Sequence, residues 1–453
     1  VKYYRFEALL QQQGWISPAY IGISNSGELK SISDQPPEEN AAIEIVHGVA
    51  LPGFPNAHSH AFQYAMAGMA EKHAPSVADD FWTWREAMYE CALAMEPDHV
   101  EAVAAMLYAE MLRMGYTHVA EFHYLHHDVN GRPYANVAEI GERLISASVT
   151  AGINLTLIPI FYEKGGFGLD AESRQRRFLS RTVDDYFRLL DATRELVSRT
   201  DNVRLGFGVH SLRAVSGINI FKTFENGPKD LPFHLHAAEQ IKEVDASVGY
   251  LKQRPIEWLL DHLPLSDRFH IVHCTHLNDH EVKQLAYTRA NVVLCPGTEG
   301  NLGDGVFRLT DFANHYGNWS IGTDSHISLN PFEDLRWLDY SQRLLTHKRN
   351  TFPDASTVMM NKVVPAGRLA MGIPTSNFFE VGRPFDAIVV KSTVPLFFSA
   401  RLENLLPTIL YTADPSVMEG TIVRGKWIVR NQVHVRAAEI RREFQRCMRE
   451  LYF

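Results

Sequence analysis

Cysteine is scarce in this chain. Cys91, Cys274, Cys295 and Cys447 are the four present in 453 residues, and no two form a CxxC pair. That usage argues against a disulfide framework and against a thiolate zinc site, and it fits a reducing cytoplasm. Long hydrophobic runs are also lacking: nothing approaches the roughly 18 uncharged apolar residues a membrane-spanning helix needs. The opening Val1-Lys2-Tyr3-Tyr4-Arg5 is followed by no signal-peptide core or cleavage pattern, so a cytoplasmic location away from membranes is expected. No long run of lysine or arginine appears, and the formal charge is −9. Nucleic acid is therefore not an expected partner, because phosphate backbones need a concentrated basic face. A small anionic substrate needs only a few local cations and stays open. There is no glycine fingerprint for a dinucleotide, no internal repeat and no low-complexity linker.

The bulk of the chain is ordinary for a globular protein, with 45% hydrophobic and 21% charged residues. Its length suits one large domain plus a smaller one. From about Ala50 to Thr375 short apolar runs alternate with longer helical patterns, the signature of βα units around a parallel sheet. Eight candidate strands can be read. Most end in groups able to do chemistry: Asn56, His58 and His60 after the first, His123 after the second, and His210-Ser211-Leu212-Arg213 after the fourth. His236 and Glu239 follow the fifth, His273 and His276 the sixth, Cys295-Pro296-Gly297-Thr298-Glu299 the seventh, and Thr323-Asp324-Ser325-His326 the eighth. The third, Leu155 to Phe161, carries no ionisable group, and the fourth spans Arg204 to Val209. Polar groups at the C-terminal ends of parallel strands converge only if the sheet closes, which favours a barrel over an open sheet.

One connecting helix is well marked, opening at Pro97-Asp98-His99 and stopping at Gly115. The two chain ends hold short strand-like runs, Ile21 to Ile23, Ile43 to Val46, Ala387 to Lys391, Thr421 to Val423 and Trp427 to Val429, with a turn at Gly425-Lys426. An arginine-rich helix is expected over Ala437 to Leu451. The expectation is an α/β protein: a (β/α)8 TIM-like barrel over residues 50–382, with a small β-sandwich domain built from residues 1–49 and 383–453.

The 21 histidines matter less than their placement. His58-Ser59-His60 puts two imidazoles on one side of a strand, able to reach one metal. Alone it is weak, since with this many histidines roughly one such pair is expected by chance. His234-Leu235-His236-Ala237-Ala238-Glu239 repeats the spacing and adds a carboxylate three residues on. His236 can ligate, His234 reads better as a core residue, and Glu239 can shuttle a proton between water and a leaving nitrogen. In His273-Cys274-Thr275-His276, His273 is assigned inward as a partner of the nucleophilic water, and Cys274 reads as buried filler. Asp324, at the end of an apolar strand, is costly to bury without a cation or hydrogen bonds, although a helix cap would also explain it. Together these give three histidines and one carboxylate, a donor set that suits zinc and leaves room for water.

The motifs PGFPNAHSH, HLHAAE, HCTH, LCPGTEGNLGDG and GTDSH, in this order, resemble the one-metal deaminases of the amidohydrolase superfamily. NAHSHAFQ, the run Asp80-Phe81-Trp82-Thr83-Trp84-Arg85-Glu86, AEFHYLHH, HSLRAV, NLGDG, GTDSHIS and LRWLDYSQRL are similar to its formimidoylglutamate deiminase family over essentially the whole chain. The resemblance implies one zinc ion per subunit, with iron or another divalent metal as the alternative, held by His58, His60, His236 and Asp324. It implies Glu239 as proton shuttle, with His273 and Asp324 activating the water. Substrate contacts would fall on Gln63, Tyr124, His210 and Arg213, and on Arg85 from the same or a neighbouring subunit of a homodimer. The implied reaction converts N-formimino-L-glutamate to N-formyl-L-glutamate and ammonia, a step of histidine degradation.

The chemistry of the residues agrees. Arg213, just beyond the fourth strand, can grip a carboxylate of a small dianionic, amino-acid-derived substrate in a bidentate fork, though a surface ion pair would also account for it. The chain departs from the family pattern at Tyr162-Glu163-Lys164-Gly165-Gly166, where Ser-His is expected, at Gly300, where Ala is expected, and in a stretch after Pro353 that looks shortened. Three rivals remain. A deaminase of guanine or an adenosine-like base would favour stacking and amide contacts over Arg213 and His210. A two-metal hydrolase would want a bridging Lys after the fourth strand, where Phe207-Gly208-Val209-His210 stands; Lys164 reads as a surface residue. A metal-free scaffold or binding protein would have no need of all six candidate site groups.

Overall fold

The computed structural model describes residues 1–38, 41–71, 81–397 and 400–452. Eight parallel strands form the central sheet: β1 (Phe54–Ser59), β2 (Tyr116–His123), β3 (Asn154–Phe161), β4 (Phe207–Ser211), β5 (Phe233–Ala237), β6 (Phe269–His273), β7 (Asn291–Leu294) and β8 (Asn318–Ile321). They pair in chain order, with registers such as Leu157↔Glu121 between β3 and β2 and Ala237↔His273 between β5 and β6. Nearly every strand residue is buried, because helices cover the outside and side chains fill the inside, as a closed parallel sheet requires.

The sheet closes where β8 meets β1. The backbone N–H groups of Thr323 and Asp324 donate to the His58 carbonyl at 3.1 and 3.0 Å, and His60 N–H donates to the Asp324 carbonyl at 3.3 Å. This seam needs Gly322: a Cβ there would lie 2.7 Å from the His58 Cβ and 2.8 Å from its backbone nitrogen.

The expected fourth strand is broken in two. Val203–Leu205 pairs with the first half of β3, and β4 begins only at Phe207, after the backbone steps inward at Gly206. The helix marked by proline and glycine runs from Pro97 to Met114 and ends on Gly115 in the left-handed region, φ 103°. Between β1 and β2 the chain also inserts a short 3-10 turn, Ala61–Met66, and the helix Phe81–Ala94, which carry Gln63 and Arg85 over the mouth of the barrel.

The chain ends interleave. A seven-stranded sheet runs Val433–His434, Lys426–Arg430, Met418–Val423, Ala387–Lys391, Gly48–Pro52, Ala8–Gln11, Gly14–Ile16, so N-terminal and C-terminal strands lie side by side. A four-stranded sheet of Leu29–Ser33, Ala19–Ile23, Lys2–Phe6 and Ile43–Ile45 accompanies it. Ala50–Pro52 belong to the seven-stranded sheet rather than to the barrel, paired with Ala387–Ile388 and Val389. The terminal helix, Ala437–Tyr452, packs along Pro97–Met114, with Glu450 Oε2 3.1 Å from His99 Nε2. Among the described residues no helix is long and apolar enough to cross a membrane.

We expect Gly322→Ala to open the β8–β1 seam. Overpacking against backbone costs about 1–3 kcal/mol, which would be read as a lower urea midpoint with an unchanged slope, together with weaker metal retention. A variant as stable and metal-competent as the parent would show that the seam tolerates a side chain.

Candidate active site

The groups read from the sequence meet at the C-terminal mouth of the barrel. His58 Nε2 lies 3.1 Å from His60 Nε2 and 3.1 Å from His236 Nε2. Asp324 Oδ1 sits 3.2 Å from His60 Nε2 and 3.5 Å from His58 Nε2. All four side chains are buried. His60 Nδ1 donates to the Phe122 carbonyl at 2.9 Å and His236 Nδ1 to the His210 carbonyl at 3.0 Å. A carbonyl can only accept, so in both rings the Nδ1 atom carries the proton and Nε2 turns its lone pair inward. Burial, reinforced by neighbouring imidazoles, lowers the His58 pKa to about 3 and holds His236 well below its ordinary value, so both rings are neutral.

The inward lone pairs of His60 and His236 and the Asp324 carboxylate all crowd His58 Nε2, whose single proton could serve one of them at a time, whereas a cation among them serves all. Three nitrogens and one oxygen, with outer carbonyls fixing two of the rings, fit a tetrahedral zinc-like ion. Glu121, on β2, clamps the turn that carries two of these rings. Its carboxylate accepts from Ser59 Oγ and from the Ala61 N–H, each at 2.6 Å, and from Tyr108 Oη at 3.1 Å.

An outer set of groups flanks this cluster. His273 Nε2 is 3.6 Å from Glu239 Oε1 and 3.7 Å from Asp324 Oδ2, and its Nδ1 is 3.3 Å from Glu299 Oε1. Burial works against charge on His273, but Glu239, Glu299 and Asp324 outweigh it and raise its pKa to about 10, so it is an imidazolium. Burial raises the Glu239 carboxyl, partly offset by His273 and Arg213, leaving a group better able to hold a proton than an ordinary glutamate. The backbone is strained here: Ala238, His273, Cys274 and Asp324 all have φ between 50° and 71°. Left-handed non-glycine residues gathered at strand ends are typical of sites whose side chains are aimed for function.

Gln63, Arg85, Tyr124, His210 and Arg213 line the same cavity as His60, His236, Glu239, His273 and Asp324. Gln63 Nε2 donates to Tyr124 Oη at 3.0 Å. The Arg213 guanidinium is buried with its carbon 5.5 Å from the Phe81 ring centre. Arg85 reaches the cavity from its own chain, its guanidinium 5.5 Å from the Tyr89 ring centre.

His234 lies in the barrel core, its Nε2 2.8 Å from the Ala370 carbonyl, and Cys274 is fully buried. Lys164 is half-buried against Tyr250, 5.6 Å from its ring centre, while Tyr162 takes the place beside the substrate groups. Asp80, quoted in the motif run, falls outside the described residues.

Three carboxylates were assigned no site role from the sequence. They are Glu121; Glu299, which also accepts from the Cys295 N–H at 2.9 Å; and Asp304, which accepts from the Gln240 amide and whose pKa is raised by burial and by Glu239 to about 9. The signal for Glu299 and Asp304 was their position in the loop after β7; Glu121 offered none beyond being an acid inside an apolar strand.

The chain belongs to the amidohydrolase family, whose profile matches residues 49–428. It is 40% identical over 452 residues to the formimidoylglutamate deiminase of Pseudomonas aeruginosa, with 98% of each chain covered. It is 25% identical over 417 residues to a 5-methylthioadenosine/S-adenosylhomocysteine deaminase of Haloarcula marismortui, covering 90% of this chain and 88% of that one. A crystal structure of an amidohydrolase from Brucella melitensis matches it with a TM-score of 0.92 at 36% identity, over 100% of both chains. An adenosine deaminase from Xanthomonas campestris, solved with bound zinc, shares the fold with a TM-score of 0.79 at 19% identity, over 98% of both chains.

We expect Glu121→Gln to keep the fold and weaken metal affinity by about 10–100-fold, the usual effect of losing an outer partner of a ligand. Competition against a metal indicator would measure it, and an unchanged affinity would remove Glu121 from the support of the site.

Proposed function

We propose that this chain is a zinc-dependent deiminase converting N-formimino-L-glutamate and water to N-formyl-L-glutamate and ammonia. The observation that carries the reading is one cavity whose lining joins His60, His236, Asp324 and Glu239 to the guanidinium groups of Arg85 and Arg213. Two cations suit the two carboxylates of formiminoglutamate, and a neutral purine has no use for them.

His58, His60, His236 and Asp324 would hold one zinc ion, which supplies a Lewis acid and lowers the pKa of water toward neutrality. Arg213 and Arg85 bind the carboxylates and so place the formimino carbon at the cluster. Glu239 takes the two protons of the attacking water in turn and delivers them to the terminal imino nitrogen. The water oxygen forms a bond to the formimino carbon, the bond from that carbon to the terminal nitrogen breaks, ammonia departs and the formyl carbonyl remains. His273, charged and 3.6 Å from Glu239, orients that carboxylate and offsets negative charge gathering beside it. Tyr124, held by Gln63, and His210 close the cavity around the substrate. The same reading carries a homodimer and a cytoplasmic setting, the latter in keeping with four unpaired cysteines.

The test is ammonia release from N-formimino-L-glutamate, with guanine, adenosine and N-formyl-L-glutamate as controls. Turnover of a purine alone would overturn the substrate assignment. Glu239→Gln is expected to keep its metal and lose about 10²–10⁴-fold in kcat, and a near-normal rate would take Glu239 out of the reaction. Arg213→Met should raise KM by about tenfold or more with a smaller effect on kcat, and an unchanged KM would count against a carboxylate clamp.

A further inference from the structure

At the opposite end of the barrel lies a second polar cavity of about 80 Å³. By the same measure a water molecule needs roughly 10–15 Å³, so this space holds a group the size of a phosphate or a short dicarboxylate. Four arginines line it, Arg204, Arg368, Arg383 and Arg424, against three carboxylates, Asp201, Glu380 and Asp386.

Two of those carboxylates are already engaged. Asp386 Oδ1 accepts from the Arg424 N–H at 2.7 Å and Oδ2 stands 3.5 Å from His118 Nε2. Glu380 Oε1 accepts from the Asn377 N–H at 2.8 Å, and its other oxygen is 3.8 Å from Arg383 Nε. Arg368 is buried and donates to the Phe378 and Asn377 carbonyls at 2.8 and 3.3 Å. The guanidinium groups of Arg204, an exposed residue, and Arg424, a half-buried one, make no hydrogen bond or ion pair to any described residue. Partial burial, then the charges of Arg383 and Arg424, push the Arg204 guanidinium below its ordinary value, so the like charges feel one another. Asn202 Oδ1 and Thr375 Oγ1, both in the cavity wall, are buried with no hydrogen-bond partner among the described residues.

The backbone at Arg424 adds an independent sign. Arg424 and Gly425 form the two-residue turn between Met418–Val423 and Lys426–Arg430, with φ of 49° and 72°. Glycine, asparagine or aspartate suits the first of these positions, and an arginine there is strained. The turn keeps a cation at a cost in local conformation and points to a use for its charge.

We propose that this cavity is a binding site for a small dianion, a phosphate or a short dicarboxylate, gripped by Arg204 and Arg424. It draws on the strand Val203–Leu205, the helix Ala355–Ala370, the segment before Ala387–Lys391 and the 418–430 hairpin, so an anion there cross-links the barrel floor to the chain-end sheet. Binding therefore stabilises the fold as well as neutralising the cluster.

The experiment is calorimetric titration and thermal melting of the full, metal-loaded chain with inorganic phosphate and with glutarate, against sodium chloride at matched ionic strength. Parallel runs use Arg213→Met, to separate this cavity from the catalytic one, and Arg204→Gln and Arg424→Asn. Asparagine accepts a left-handed φ, so the latter variant should fold. We expect saturable binding of at least one dianion at one per chain, a melting temperature raised by several degrees, and retention of both in Arg213→Met. Each of the other two variants should lose tenfold or more in affinity. Phosphate and glutarate responses separate the two ligand classes. No binding beyond the chloride control, binding lost in Arg213→Met alone, or binding intact in both Arg204→Gln and Arg424→Asn would each overturn the proposal.

Discussion

Two imidazole nitrogens 3.1 Å from a third, with a buried carboxylate beside them, form an arrangement that apolar packing would not select. The four groups arrive on three parts of the barrel: His58 on β1 with His60 just past its end, His236 on β5, and Asp324 just past β8. A protein without a cation at this point would have to absorb the mutual repulsion of these groups in its fold. With a cation the same contacts become attractive, and the strand ends are drawn together. The site and the closure of the barrel are in this sense one interaction, because the seam bonds between His58, Thr323, Asp324 and His60 run through the ligands themselves.

Charge is graded outward from that point. Neutral His58 and His236 lie at the cluster, the His273 imidazolium stands between Glu239, Glu299 and Asp324, and Arg213 and Arg85 line the same cavity. Two opposed demands meet there. A proton shuttle needs a carboxylate whose affinity for a proton has been raised, which burial gives Glu239. A dianion needs cations close by, which would pull that affinity down again. Burial outweighs the pull of His273 and Arg213 at Glu239, so its carboxyl stays raised beside them.

Much of this was legible in the sequence because strand ends in a parallel barrel all point one way. Once His58, His236, His273 and Asp324 are each placed after an apolar run, their convergence follows from topology. The chain-end sheets were harder. Lys2–Phe6, Ala8–Gln11, Gly14–Ile16 and Leu29–Ser33 are short, and they mix polar with apolar residues without clean alternation, so periodicity has little to act on. Gly48–Pro52 looked like the approach to the barrel because it runs into β1, but its hydrogen bonds go to Ala387–Lys391, more than 300 residues away in sequence, which no local pattern can register. The break at Gly206 went unread for a similar reason, since both halves of the expected strand are apolar and only their partners differ. Glu121 is an acid within an apolar strand whose three donors come from Ser59, Ala61 and Tyr108, none of which its neighbours in sequence announce.

That long-range pairing explains why a catalytic barrel would carry a sheet made from both its ends. Gly48–Pro52 is bonded along its length to Ala387–Lys391, Gly53 N–H donates to the Asp386 carbonyl at 3.1 Å, and β1 begins at the next residue. Within five further residues the chain reaches His58. β1 is thus held at its start by the chain-end sheet and at its finish by β8 and Glu121, leaving little freedom for the two rings it carries. A strand bonded only to its barrel neighbours could slide, and a one-residue slip would turn His58 and His60 away from His236. The small sheet serves the site without touching it, by fixing the register of the strand that carries His58 and leads into His60.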